Sequence, residues 1–419
     1  MALGLAWFVA AAVTTLVHAG LLAAPHIAPG VVALTHMWVL GFFVTIAVGA
    51  IYQLAPVALS TTLWSERTGW WHLALHGAAV PVMIHGFWSW NLPLLAGAGS
   101  VVLAGVAVFA VNTGGTILRS GKRDAVAWSL ALGSGWLVLT VAAGLALVAN
   151  RLWHLWGTDP LPLLRAHAHL GLIGFFITLL QGVTFRLVPM FTLGDVPNWK
   201  PVRLGLWCSQ LGLLVLAPAL AFNAGAVAFA AAVAIVVGLG FTAWGLKLTL
   251  ATRKKRQLDD GLIALVRGMG VLAVAAVAAL WLVAPNTRAG SAPGGLSANV
   301  YGVLVLLAGL LPAIAGMMNK IVPFLTWMRA YGPKVGRVPT PPATAMSHPR
   351  LERLGINAIT FASIPLLVGT WTLHSAWLYA GSALLVAGTL LFAANLVVVF
   401  RHLWRPVTPA APTFPRPIR

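Results

Sequence analysis

Long apolar runs recur along this chain and limit what it can fold into. A helix that crosses a membrane needs about 20 mostly apolar residues, and twelve runs of that length are present. Crossing strands would instead need about ten residues of alternating polarity each. The sequence therefore predicts an all-α polytopic membrane protein with twelve transmembrane helices. The runs cover residues 2–24, 31–59, 70–91, 92–112, 126–149, 163–191, 204–222, 225–246, 261–284, 297–328, 354–374 and 376–400.

Basic residues are distributed unevenly among the loops. The chain carries 26 Lys and Arg against 7 Asp and Glu, a formal net charge of +19. Twenty basic residues follow even-numbered runs or lie in the C-terminal tail, whereas only Arg151, Arg165 and Arg288 lie in loops after odd-numbered runs. Because cytoplasmic loops carry the excess of Lys and Arg, we predict a multi-pass protein of the bacterial cytoplasmic (inner) membrane with both termini cytoplasmic. The charge thus reflects topology in a lipid bilayer, and no nucleic acid is expected as a partner.

Three short segments align without gaps and indicate an internal repeat. They are residues 49–56 (GAIYQLAP), 182–189 (GVTFRLVP) and 316–323 (GMMNKIVP), and they are almost equally spaced along the chain. His36 precedes Pro56 by the same interval as His169 precedes Pro189. We therefore predict a single membrane domain, residues 1–419, built from three pseudo-repeats of four helices. The units cover about residues 1–125, 126–258 and 259–402, and residues 403–419 form a cytoplasmic tail.

Histidines enter the predicted spans, as do Arg186, Arg267 and Lys320, whereas all seven Asp and Glu fall in loops or at helix edges. At 1.5 Å per residue, five histidines lie roughly 6–9 Å below the outer boundary. Neutral imidazole is the commonest metal ligand and a usual axial ligand of haem, so this layer predicts a bound haem or metal. The five are His18, His36, His85, His167 and His169.

Spacing within the helices refines these candidates. His167 and His169 are about 200° apart on a helix, so their rings serve two neighbouring sites. His72 and His76 share one face of the third span, toward the cytoplasmic half, and His76 joins His18 and His85 as a candidate metal ligand. Arg165 lies one turn above His169, where its guanidinium would suit a haem propionate.

These residues resemble the haem-copper oxidase subunit I superfamily, which includes nitric oxide reductase catalytic subunits. That family is similar in having twelve spans in three arcs of four, and Gly-then-Pro segments on its second and tenth helices. It also has a His-x-His whose two rings bind different haems, which the segment from Arg165 to His169 resembles. NnrS-like membrane proteins, associated with haem, copper and nitrosative stress, are a neighbouring resemblance.

The resemblance implies haem b, with copper as a second cofactor, and respiratory subunits or a small redox protein as partners. Any enzymatic activity would then be that of an oxidoreductase of the oxidase or nitric oxide reductase type. Spans seven and ten contain no histidine, although the family places ligands there, so the oxidase ligand set is incomplete.

The leading hypothesis is a membrane-integral haem b protein that transfers electrons or handles a gas ligand near the outer face. His36 and His169 are its predicted axial pair, because they occupy equivalent positions in adjacent repeats. His167 would face a second site, with His18 and His85 as contributors. One alternative is a copper-handling or respiratory-oxidase assembly protein. Another is a cofactor-free structural subunit or transporter, although the lack of carboxylates within the membrane argues against the transporter.

The predicted topology can be tested by cysteine labelling, because Cys208 is the only cysteine. In a Cys208→Ser background, we expect a membrane-impermeant thiol reagent to label Asp159→Cys in intact cells. Lys254→Cys should react only after the cells are permeabilised, since it lies in a basic loop. The opposite pattern would invert the topology, and the cysteine-free protein controls for background labelling.

Overall fold

The computed structural model describes residues 1–156, 159–283 and 294–406, with the backbone alone at 281–283 and 294–297. Arg288 and the predicted tail beyond residue 406 lie outside the described residues. Within the described part the chain forms twelve long helices and no strand. They are α1 (Ala2–Val17), α2 (Pro29–Leu59), α3 (Glu66–Ser89), α4 (Leu92–Ser120), α5 (Ala125–Trp153), α6 (Leu161–Thr192), α7 (Trp199–Ala221), α8 (Gly225–Ala251), α9 (Asp260–Val283), α10 (294–330), α11 (Pro349–Thr372) and α12 (Ser375–Arg401).

Ten of the described helices are long and apolar enough to cross a membrane. The other two are α1, which has 16 residues, and α3, which is long enough but less apolar. The predicted all-α, multi-pass membrane architecture is confirmed to this extent, and the count of twelve crossings remains a prediction.

The helices are arranged as a closed ring with three of them inside. Consecutive helices pack against each other from α1 to α12, and α12 packs against α1. Helices α2, α6 and α10 are 67–72% buried over their most apolar stretches, whereas the other seven membrane-length helices are 28–44% buried. We call the end of the bundle that carries His26 and Arg151 the histidine end, and the opposite end, which carries Lys254, the basic end.

Each inner helix contains a widened, π-helical turn in the same register. The π segments are Met37–Val44, Leu170–Ile177 and Leu304–Leu310. Their first residues are separated by the same intervals as Pro56, Pro189 and Pro323 of the aligned segments. Such turns are rare inside α-helices, and those that occur are often found at functional sites.

A residue one or two positions after each π segment helps to explain the widening. The Oγ1 atoms of Thr45 and Thr178 donate to carbonyl oxygens five residues earlier, on Leu40 (3.0 Å) and Ile173 (2.9 Å). Pro312 occupies the corresponding position in α10. It has no backbone N–H to donate, so it also interrupts the regular ladder.

Facing glycines allow neighbouring helices to approach closely. A Cβ atom added to Gly268 on α9 would lie 2.5 Å from the carbonyl oxygen of Gly309 on α10, and 2.8 Å from the Cβ of Ala313. Two turns away along each helix, Gly261 and Gly316 face each other in the same way. Small residues at helix crossings let backbones approach in membranes, where van der Waals packing is a main source of association.

Replacing Gly268 with Ala should therefore destabilise the bundle, while Gly270→Ala should not. A Cβ at Gly270 meets nothing within 4 Å, so it provides a matched control on the same helix. Overpacking of a tight contact costs about 1–3 kcal/mol, and we expect a lower Tm for Gly268→Ala in detergent. Equal melting temperatures for the two variants would contradict the close α9–α10 contact.

Candidate functional site

A cavity between α2, α3, α4, α5 and α6 brings two of the predicted histidines together. This first cavity has a volume of about 180 Å³. Its walls are mostly Leu, Val, Phe and Met side chains, interrupted by the polar residues His36, Trp90, Thr140, Arg151 and His167. An apolar cavity with a few convergent polar groups is the usual form of a cofactor or ligand site.

His36 and His167 both line this cavity, and their rings are close to each other. Their ring centres are 6.4 Å apart and the ring planes are 20° from parallel. The ring of Phe87, on α3, stacks on His36 with a centre-to-centre distance of 4.2 Å. The two histidines come from different inner helices, so the cavity lies between α2 and α6.

Backbone carbonyls fix the orientation of both rings. The Nδ1 atom of His36 donates to the carbonyl oxygen of Val32 (2.8 Å), and that of His167 donates to the carbonyl oxygen of Thr140 (2.9 Å). A carbonyl oxygen only accepts, so the proton of each neutral ring is on Nδ1 and the lone pair is on Nε2. This is the arrangement found in metal-bound histidines, whose second nitrogen is held by an acceptor.

The predicted pairing of His36 with His169 is wrong, because His169 faces a different cavity. This second cavity, of about 50 Å³, lies among α6 to α10 and is also lined by Tyr301. The rings of His169 and Tyr301 are 6.0 Å apart and 20° from parallel. Equivalent positions on α2 and α6 line successive cavities, so the partner of His36 must come from a non-equivalent position. His167 and His169 line two different cavities, and their service as ligands of two sites stays a prediction.

The ring pair His36 and His167 is related to the ring pair His169 and Tyr301 by the spacing of the aligned segments. The interval from His36 to His169 equals that between the first two prolines of the aligned segments, and the interval from His167 to Tyr301 equals that between the last two. The Nδ1 atom of His169 also donates to the carbonyl oxygen four residues earlier, on Arg165 (2.8 Å), as His36 does to Val32. On α10, the position that corresponds to His36 and His169 is occupied by Val303. On α2, the position that corresponds to His167 and Tyr301 is occupied by Leu34. Both are buried and apolar.

The other predicted ligands lie away from the first cavity. His18 and His85 are exposed, and the ring of His18 meets Trp88 edge-on at 5.1 Å. His76 is buried between α2 and α3, where Nε2 is 3.0 Å from the Oγ1 of Thr45. No group of three or more His, Cys, Asp or Glu suited to one metal ion occurs among the residues that the structure describes.

Arg151, rather than Arg165, is the guanidinium that lines the first cavity. Arg165 is exposed. Burial lowers the pKa of His26, in the loop before α2, and the charge of Arg165 lowers it further. In the sequence, Arg151 is one of the few basic residues in loops after odd-numbered runs. Its position at the end of a run does not predict which cavity it lines. Tyr301 could have been found from the repeat interval that separates it from His167.

Comparisons with known proteins add no assignment. No family model matches this chain, and no curated protein matches it significantly. The function therefore has to be argued from the geometry of the site.

Proposed function

We propose that the first cavity binds one haem b, held by His36 and His167 as its two axial ligands. Two imidazoles on opposite sides of one metal, each with a nitrogen–metal bond of about 2.0 Å, have ring centres roughly 6.3 Å apart. The observed separation of 6.4 Å is the single observation that carries the proposal. The angle of 20° between the ring planes is compatible with it, because two imidazoles that share a metal can take any rotation about their common axis.

The surroundings of the pair suit a haem better than a bare metal ion. The apolar walls of the cavity would bury a macrocycle, and Arg151 could pair with its propionate carboxylates. Gly144 leaves room beside the ligand, because a Cβ there would lie 3.0 Å from Cε1 of His167. A metal ion without a macrocycle would need few of these features.

Electron transfer is the role that this ligand set favours. A bound haem supplies one-electron chemistry at its iron. His36 and His167 would occupy both axial positions, which leaves none free for a gas or substrate. The carbonyls of Val32 and Thr140 would hold the two rings in place, and the apolar walls would keep water away. The second cavity offers one imidazole and the phenol of Tyr301, so we propose a single haem per chain.

The architecture around the site supports a wider proposal. We infer that all twelve helices cross the membrane as three units of four, with the basic end facing the cytoplasm of a bacterial cell. The common register of the three π segments and the burial of α2, α6 and α10 support the repeat. A soluble redox protein or respiratory subunits would then meet the chain at its exposed loops.

The haem assignment can be tested by difference spectroscopy of the purified protein. We expect reduced-minus-oxidised spectra to show α and Soret bands at one haem per chain. Both bands should be lost in His36→Leu and His167→Leu. His169→Leu, two residues from His167 on the same helix, is the matched control and should retain the haem. Haem loss in His169→Leu alone would contradict the assignment.

Arg151→Leu should weaken haem binding without abolishing it. The guanidinium lies at the exposed end of the cavity, so solvent screening reduces its attraction for a propionate, and we expect a loss of affinity of roughly three- to tenfold. Arg165→Leu, also exposed and on the same end of the bundle, should leave the affinity unchanged. The measurement is haem transfer to an apo-globin acceptor, and a larger effect at Arg165 would assign the propionate contact to it.

Copper handling is the second candidate, because two opposed imidazoles can also hold a copper ion without a macrocycle. Metal analysis separates the two functions: copper without iron would favour copper handling or oxidase assembly. A correctly folded protein with neither metal after expression with haem and copper supplied would instead support a cofactor-free subunit.

A further inference from the structure

A second group of donor side chains lies between α2, α3 and α4, apart from both cavities. It consists of Tyr52, His72 and His76, which we call the α3 cluster. The rings of His72 and His76 are 5.5 Å apart, and those of Tyr52 and His72 are 5.8 Å apart. The two histidines are buried, with only 4% and 2% of their surface exposed. The ring of Phe109, on α4, packs against Tyr52 and His72 at 5.5 and 5.6 Å.

The hydrogen bonds of His76 determine which of its nitrogens carries the proton. Nε2 lies 3.0 Å from the Oγ1 of Thr45 and 3.2 Å from the carbonyl oxygen of Leu40. Thr45 already donates its hydroxyl proton to that same carbonyl, and the carbonyl can only accept. Nε2 must therefore be the donor, and the lone pair of His76 is on Nδ1.

Two ring nitrogens of the α3 cluster are buried and have no hydrogen-bond partner, Nδ1 of His76 and Nε2 of His72. The hydroxyl of Tyr52 interacts with the side chain of Asn112. Each buried polar group without a partner costs about 1–3 kcal/mol, and such groups are rare in native proteins. Two of them on rings whose centres are 5.5 Å apart indicate a ligand that accepts lone pairs rather than two separate packing defects.

We propose that Tyr52, His72 and His76 bind a transition-metal ion of the kind that prefers imidazole, such as copper or zinc. Two imidazoles on adjacent corners of a tetrahedral metal, with bonds of about 2.0 Å, have ring centres roughly 5.1 Å apart, close to the observed 5.5 Å. The i, i+4 spacing of the two histidines is also that of the paired ligands in helical zinc sites.

The charge of the surroundings narrows the choice of ion. Glu66, at the start of α3, is exposed, and α2 and α4 contain no acidic residue. Burying an uncompensated charge is costly, so a monovalent ion such as Cu⁺ suits two neutral imidazoles. A divalent ion would require Tyr52 to bind as the phenolate. This site does not depend on the haem proposal, because none of its three residues lines the first cavity.

The test is metal binding to the full-length protein in detergent after chelator treatment. Wild type should bind one equivalent of Cu⁺ or Zn²⁺ in competition with a chromophoric chelator, and Co²⁺ should give the visible absorption of a tetrahedral site. His72→Leu, whose replaced ring makes no assigned hydrogen bond, should reduce the affinity by at least about a hundredfold, since loss of an outer-shell partner alone costs about 10–100-fold. Tyr52→Phe should reduce it by a smaller factor.

Two control variants distinguish metal binding at this site from haem binding in the first cavity and from nonspecific metal binding to other histidines. His85→Leu changes an exposed histidine on the same helix and should bind metal as wild type does. His36→Leu should lose haem and retain the metal. If folded wild type, checked by circular dichroism and size exclusion, binds no more metal than His72→Leu, the α3 cluster is not a metal site.

Discussion

The satisfaction of backbone carbonyls in an apolar medium is the constraint on which this structure depends. A spanning helix has no water to bond any group that leaves its own ladder. Each inner helix nevertheless contains a widened turn. In α2 and α6 the oxygens of Leu40 and Ile173 accept from threonine hydroxyls five residues later. The threonines at these two positions are therefore explained first by the backbone.

The neighbouring helices complete this arrangement in different ways. Beside α2, His76 of α3 donates to the carbonyl of Leu40. Beside α6, Gln210 of α7 donates to the Oγ1 of Thr178 (2.7 Å) and accepts from Trp136 (2.6 Å). His36 and His169 are the last residues before their π segments, so the widened turn and its partners also determine how each cavity-facing imidazole is directed.

The sequence predicted the helices well, because helix length and apolar character follow directly from composition. The run 126–149, for example, falls within α5, Ala125–Trp153. The angular separation of His167 and His169 also follows from helical periodicity alone. The pairing of His36 required the mutual rotation of α2 and α6, which is set by side-chain packing between helices. His36 and His169, which have the same spacing from Pro56 and Pro189, line different cavities, so each cavity combines positions with different spacings.

The ring of helices is closed by a contact between the first and last helices, which are far apart in the sequence. The residues that line the first cavity instead come from one continuous part of the chain. All of its lining residues fall between positions 27 and 176, and α1 needs α12, which begins at Ser375, as a neighbour. All residues that line this cavity are therefore translated before α7 begins at Trp199. The translation of five further helices separates the segments that form the site from the helix that closes the bundle.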